Sequence, residues 1–300
     1  MIDPASPLPL LDSSRIARRV ADRFRESGRR GSRVPLATRV EIVEDRGLRF
    51  VVRVRLSAPR RAAPAAPPAA GGGRGPSPFL PPYDPSLLVG SLSPSHVCLL
   101  NKYNAIERHL LVVTREYADQ EGALDADDFA ATAICLDGLA GLAFFNGGAI
   151  AGASQAHKHL QVVPFPLAPG EPTFPLAPAL EAAIDAGRDR SDQLPFPHRM
   201  ATVTGAGVVA AYRALIESLG LARDGGRLAP YNLLWTREWM LAVPRARAAF
   251  ETIEVNALGF AGALLVSGEG ALERVREIGP LEILRRVASD PEGERGGVLP

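Results

Sequence analysis

The stretch GASQAHKHLQVVPFP, Gly152 to Pro166, decides how the rest of the chain is read. It sets His157, His159 and Gln161 at every second position among aliphatic and β-branched residues. A strand alternates its side chains between two faces, so His157, His159, Gln161 and Val163 line up on one side and Lys158, Leu160 and Val162 on the other. The face carrying Leu160 and Val162 is the natural core face. The His-His-Gln row then fronts a cleft, and Lys158 is expected to escape to solvent at the strand end. The chain has five histidines, and two of them stand in this row.

Two chemistries suit it. Neutral imidazoles at i and i+2 on a strand can share a metal, with His109 or His96 recruited as a third ligand, although glutamine is a poor one. Alternatively, one imidazole is a nucleophile. It is largely neutral at pH 7, needs no separate base and forms a phosphoramidate that is readily broken. The preceding turn, FNGGAIAGASQAH (145–157), favours the second. Asn146, the flexible Gly152 and Ala153, Ser154 and Gln155 offer small residues, backbone N–H groups and amide or hydroxyl donors suited to an anion. They add few metal ligands, so no metal site is expected.

Working outward, composition narrows the setting. A net charge of +1 over 300 residues, with charges spread along the chain, advertises neither a nucleic-acid partner nor a membrane surface. No apolar run approaches the ~20 residues of a membrane span, and the N-terminus lacks the pattern of an export signal. The two cysteines, Cys98 and Cys135, sit in apolar runs without CxxC spacing, so a reducing cytoplasm is the expected compartment. Lysine occurs only at Lys102 and Lys158 among 34 basic residues, which marks both for attention.

The chain on either side reads as mixed elements. Apolar spacing predicts a surface helix over 12–30 and alternation predicts a hairpin over 39–56, turning near EDRG. The Ala/Pro/Gly-rich 57–78 cannot bury a core and reads as a flexible insertion. SHVCLLNKYN (95–104) and RHLLVVTREY (108–117) are antiparallel strands. DADDFAATAICLDGLAGLAFFNGG (125–148) has acidic N-caps, an apolar face and a Gly-Gly stop, and predicts a helix of four turns or more. Pro-rich 164–180 reads as irregular, 206–221 as a helix, 231–245 as a hairpin turning at Arg237 and Glu238, and both 255–267 and 271–288 as helical. Strands and helices without regular βαβ alternation predict an α+β fold, an antiparallel sheet with flanking helices. Two parts are expected: a core over 1–190 holding the HxHxQ motif, and a C-terminal lobe over 191–300 completing the site.

NGG…GASQAHKHLQ resembles the histidine-triad superfamily motif, in its glutamine variant that includes the galactose-1-phosphate uridylyltransferase branch. PFLPPYDPSLLVG, HVCLLNKYNAIERHLLVVTREY, PYNLLWTREWMLAVPR and VNALGFAGALLV extend this to a resemblance with the ATP adenylyltransferase, or diadenosine tetraphosphate phosphorylase, family from about residue 39 to 266. The chain departs from it in the 57–78 insertion and in Ala153, where the family more often has serine. The resemblance implies phosphorolysis of diadenosine tetraphosphate to ADP and ATP through a nucleotidyl-histidine. It implies His159 as the nucleophile, His157 as the residue orienting its ring and Gln161 as a donor to a non-bridging oxygen. Asn101 and Lys102 are then polyphosphate contacts and His109 a supporting histidine. Asn146, Gly152, Ala153, Ser154 and Gln155 line the substrate, and Asn232, Thr236, Met240 and Arg245 shape a second nucleotide site. The cofactor implied is magnesium carried on the polyphosphate. The partners are nucleotides and phosphate, and the assembly a monomer or homodimer. A zinc-dependent hydrolase or lyase built on the HxH pair and a non-catalytic dinucleotide sensor are the competing readings.

Overall fold

The structure, a computed structural model, describes residues 10–56, 77–203, 207–223 and 227–288. The 57–78 insertion, with Arg60, Arg61 and Arg74, lies outside them apart from Ser77 and Pro78. Helix α1 (Ser13–Arg30) starts where the Asp12 side chain accepts from the Arg15 amide and stops at Gly31, whose φ of 67° only glycine takes readily. The hairpin expected next is β1 (Thr38–Asp45) and β2 (Leu48–Arg55). Strands β3 (Leu88–Ser91), β4 (His96–Leu100) and β5 (Leu110–Thr114) follow. Helix α2 (Ala126–Gly138) opens on a capping box between Asp125 and Asp128, and leads to β6 (Gly141–Gly147) and β7 (His159–Pro164). Then come α3 (Ala177–Asp185), β8 (Arg199–Thr202), α4 (Val208–Ser218) and the hairpin of β9 (Tyr231–Trp235) and β10 (Trp239–Pro244). A ribbon of β11 (Ala249–Phe250) and β12 (Ile253–Glu254), then β13 (Ala263–Ser267), α5 (Glu269–Ile278) and α6 (Pro280–Val287), finish the described chain.

Eight strands form one sheet in the order β3-β4-β5-β7-β6-β9-β10-β8, antiparallel throughout. The architecture is α+β. One face, with Cys98, Val112, Leu160, Val162, Ala143, Phe145 and Leu233, is covered by α1, α2 and α4. On the other face, Leu142, Phe144, Val163, Leu234 and Leu241 pack against the small sheet β1-β2-β13 and against α3, α5 and α6. A third cluster of Phe79, Leu88, Val97, Leu99, Leu111 and Val113 covers the β3–β5 end of that same face. The histidine row belongs to this second face, between the two clusters. Among the described residues no helix is long and apolar enough to cross a membrane.

Four local expectations are corrected. The helix expected over 125–148 ends at Gly138, and 141–147 is instead the central strand β6. Covered on both faces, β6 is apolar from Leu142 to Phe145, and such a run has no period to separate strand from helix. At Gly138 α1 also approaches closely: a Cβ there would lie 1.7 Å from Ile16 Cγ2. Within 255–267, the helical reading holds only for a 3₁₀ turn, Ala257–Ala261. Gly262, at φ 87°, reverses the chain into β13, which pairs in parallel with β2 some two hundred residues earlier. Helix α3 begins inside the Pro-rich segment, with a proline in its first turn, where the missing N–H has no helical partner to lose. Finally, Lys158 does not escape. It is buried, and its ammonium donates to Asp128 Oδ2 and the Ala123 carbonyl, both at 3.0 Å.

Candidate active site

The alternation of β7 delivers His159 and Gln161 to the cleft face, and both are buried. The His159 Nδ1 lies 2.9 Å from the His157 carbonyl oxygen. A carbonyl only accepts, so Nδ1 carries the proton and Nε2 keeps its lone pair. Burial pushes the His159 imidazole down to about 4, against the His157 carbonyl bond, which raises it, and the nearby His157 ring, which lowers it further. At neutral pH the ring is uncharged, its tautomer is set by the backbone, and its Nε2 lone pair is available. His157 precedes β7, in a single bridge with Asp119. Its Nε2 is 2.9 Å from the Thr114 carbonyl and its Nδ1 2.9 Å from Ser77 Oγ. His157 is therefore held at both nitrogens and acts on His159 through its peptide. The Phe79 ring packs against both histidines, with centroids 5.0 Å from His159 and 5.9 Å from His157.

Gln161 is oriented by a chain of two residues. Asn101 Nδ2 donates to His109 Nδ1 at 3.2 Å, so His109 Nε2 holds the proton and donates to Gln161 Oε1 at 2.9 Å. With its oxygen engaged, the Gln161 carboxamide offers its NH₂ as its donor. Burial, with the neighbouring His159 ring and against the Gln161 bond, takes His109 down to about 4, which keeps this chain neutral.

The glycine-rich turn spends part of its N–H groups on itself. It holds a 3₁₀ turn, Ala149–Ala151, between Gly148 at φ 94° and Gly152 at φ 93°. The N–H groups of Gly148, Ala151, Gly152 and Ala153 bond to the carbonyls of Asn146, Gly148, Ala149 and Gly148. Those four serve the turn itself, while Ser154 is exposed and Gln155 half-buried. A Cβ on Gly152 would lie 3.0 Å from the Val255 carbonyl oxygen, so the turn is seated directly on the C-terminal segment.

Asn146, at the end of β6, joins the turn to that segment. Its Oδ1 accepts from Asn232 Nδ2 at 2.8 Å and from the Ala257 amide at 2.9 Å. Asn232 Oδ1 in turn accepts from Arg245 Nη1 at 2.5 Å. Arg245 is buried, and its five N–H groups meet five acceptors: Asn232 Oδ1 and the carbonyls of Ala151, Arg247, Val255 and Val287. Burial lowers its pKa to about 10, still charged at neutral pH. No donor remains for a substrate, so the expected ligand contact is corrected to a structural tie.

Thr236 and Met240 stand apart from the histidine row. Thr236 is at the far end of β9, lining a small cavity with Gly141, Phe165 and Trp239. Met240 faces the helix-covered side of the sheet. Lys102 is exposed, its ammonium 5.6 Å from the centre of the Tyr103 ring. His96, considered as a third metal ligand, is on the helix side with its Nε2 3.0 Å from Asp128 Oδ1, and His109 is engaged with Asn101 and Gln161. Among the described residues no group of three His, Cys, Asp or Glu side chains is arranged to hold a metal. Sequence reasoning missed Gln120, Ser77, Phe79 and Thr114. Phe79 and Thr114 fall inside stretches that carry the family resemblance without standing out in them, Gln120 and Ser77 fall in none, and each reaches the row through tertiary contacts.

Comparison with known proteins gives a consistent family. The N-terminal domain of Ap4A phosphorylases matches residues 7–182 and the C-terminal domain of ATP adenylyltransferases matches residues 192–290. Two Saccharomyces cerevisiae proteins are similar. Protein APA1 is 28% identical over 216 residues, 63% of this chain and 66% of that protein. Diadenosine 5',5'''-P1,P4-tetraphosphate phosphorylase 2 is 29% identical over 212 residues, 60% and 64%. The matched stretch thus spans just under two thirds of each relative's length. Among solved structures, yeast Ap4A phosphorylase Apa2 in complex with AMP superposes with a TM-score of 0.74 at 22% identity, covering 93% of this chain and 98% of that one. Its complex with Ap4A gives 0.72 at 20%, with the same coverage. At that identity the likeness shows the fold.

Proposed function

This chain belongs to the Ap4A phosphorylase family, and on that premise we propose that it splits diadenosine tetraphosphate with inorganic phosphate into ADP and ATP, and runs the same adenylyl transfer in reverse. One observation carries the reading: His159, held neutral with Nδ1–H on the His157 carbonyl, presents an Nε2 lone pair beside the carboxamide of Gln161. In the first step Nε2 bonds to the α-phosphorus, the bond from that phosphorus to its bridging oxygen breaks, and ATP leaves with the electron pair. In the second step a phosphate oxygen attacks the same phosphorus, the P–N bond breaks and ADP departs. Two in-line inversions leave net retention.

The chain's own groups supply orientation and charge stabilisation. The His157 carbonyl keeps accepting from Nδ1–H while the adenylylated ring is positively charged. The Gln161 NH₂ donates to a non-bridging oxygen as charge builds there. A glutamine cannot protonate a leaving group, and ATP, a weakly basic anion, needs no proton. The divalent cation, magnesium, belongs on the polyphosphate as its counter-ion. A cytoplasmic setting fits two buried, unpaired thiols, Cys98 and Cys135.

The test is to incubate the protein with diadenosine tetraphosphate in the absence of phosphate and weigh the intact chain. The expected result is an acid-labile adenylyl group that is absent from His159→Ala, and ADP release only once phosphate is added. An adduct that persists in His159→Ala, or phosphate-independent release of AMP, overturns the reading.

A further inference from the structure

Strands β6 and β7 pair from Gly141↔Pro164 to Phe144↔Gln161. The ladder stops there, although both strands run on in the same register toward Asn146 and His159. Each keeps its other neighbour: Asn146 pairs with Asn232 on β9, and His159 with Val113 on β5. The sheet is therefore slit between its two central strands, at the level of the nucleophile.

The slit is filled by the side chain of Gln120, from the loop before α2. Its Oε1 accepts from the His159 amide at 2.8 Å, and its Nε2 donates to the carbonyls of Asn146 at 2.9 Å and His159 at 3.3 Å. A carboxamide carries the same donor and acceptor as a peptide group, so it satisfies three of the backbone groups left by the missing pair, the His159 N–H and the carbonyls of His159 and Asn146. Strands at the usual ~4.8 Å spacing leave no room for it, so the two must part. Gln120 is itself fastened. Its N–H donates to the Ala156 carbonyl at 2.9 Å, the Lys158 N–H donates to the Ala118 carbonyl at 2.8 Å, and Gln120 is 1% exposed.

We infer that Gln120 is a positioning residue: its carboxamide wedges β6 from β7 and so sets the peptide plane from which the His159 ring and the Asn146 side chain project. The His159 ring is locked to the carbonyl of His157, whose own strand segment is held by the same loop, so a rotation of the His159 peptide moves Nε2. Closing the slit would carry the nucleophile toward Asn146 and narrow the cleft. The Gln120 carboxamide bonds to backbone groups of Asn146 and His159, and it acts through His159. The effect on rate rests on the phosphorolysis reading above, while the effect on the peptide does not.

The experiment compares wild type with Gln120→Met, which keeps the length but not the bonds, and Gln120→Glu, which regains one donor and one acceptor only when protonated. Two quantities are read: amide hydrogen exchange resolved at His159, and kcat and KM for phosphorolysis of diadenosine tetraphosphate. For Gln120→Met, folded by thermal melting, exchange at His159 is expected to speed at least tenfold while amides of α6 stay unchanged. Its kcat is expected to fall at least tenfold with KM within twofold. For Gln120→Glu, protection and kcat recover as pH falls from 8 to 6, a trend wild type lacks. Unchanged exchange at His159 in folded Gln120→Met, or a loss carried by KM with kcat intact, overturns the inference. Should Gln120→Met not fold, the Gln120→Glu pH series decides it alone, and absence of its recovery is the overturning result. A wild-type protein without phosphorolysis would sink the proposed function, and the exchange readout would still decide Gln120.

Discussion

His159 and His109 share an unusual state, since burial holds each near 4 where a free imidazole titrates near ~6.5. The consequence for stability has a definite sign. Between those values the unfolded chain binds protons that the folded one refuses, so acid favours unfolding. Stability is lost as pH falls from about 6.5 to 4 and is level with respect to these groups above that window. Urea unfolding across pH 4–8 should show this slope, and His109→Gln, which keeps a donor to Gln161, should show a shallower one. The same titration governs turnover, which is expected to stay flat from pH 8 to 5 on account of His159. An acid limb centred near ~6.5 and assigned to His159 would mean that its ring is not held neutral.

Helix α2 and strand β7 are tied by charge across the helix side of the sheet. Asp128 completes the capping box of α2, accepts from His96 at 3.0 Å and from Lys158 at 3.0 Å, and is 1% exposed. Burial raises its carboxyl, and the bonds from His96 and Lys158, together with the Asp125 amide, outweigh that and hold it below the usual carboxylate range. Lys158 sits between the two site histidines in sequence, so this tie anchors the other side of the strand that presents them. Replacing Asp128 with Asn leaves a buried ammonium facing a neutral amide. Removing one partner of a buried pair costs ~3–5 kcal/mol, so Asp128→Asn should show at least a few kcal/mol of that in chemical denaturation. A variant as stable as wild type would show that the ammonium reaches water.

Over the whole molecule, Arg245 gathers segments far apart in sequence. It bonds the glycine-rich turn through Ala151, β9 through Asn232, and the final stretch through Arg247, Val255 and Val287. An ammonium has three donors against the five of a guanidinium. Arg245→Lys is therefore expected to lower both melting temperature and turnover, with Arg245→Met lower still, because each buried acceptor left without a donor costs ~1–3 kcal/mol. A rise in KM with unchanged melting would instead return Arg245 to the substrate.

The sequence alone determined the row along and just before β7, the hairpins and α1, because alternation and capping are short-range patterns that survive without the fold. It also marked Asn146, as a donor in the turn before the row, and the family resemblance marked His109 and Asn232. Only the tertiary structure decided that 141–147 is a strand and that 263–267 joins β2 in parallel. The first is buried on both faces and carries no period, and the second finds its partner at the other end of the chain. The same holds within the site. Gln120 matters because two strands part beside it, and Arg245 turned from ligand contact to tie because five acceptors converge on it. Both are properties of where backbone carbonyls and amides end up, which side-chain spacing along a chain does not encode.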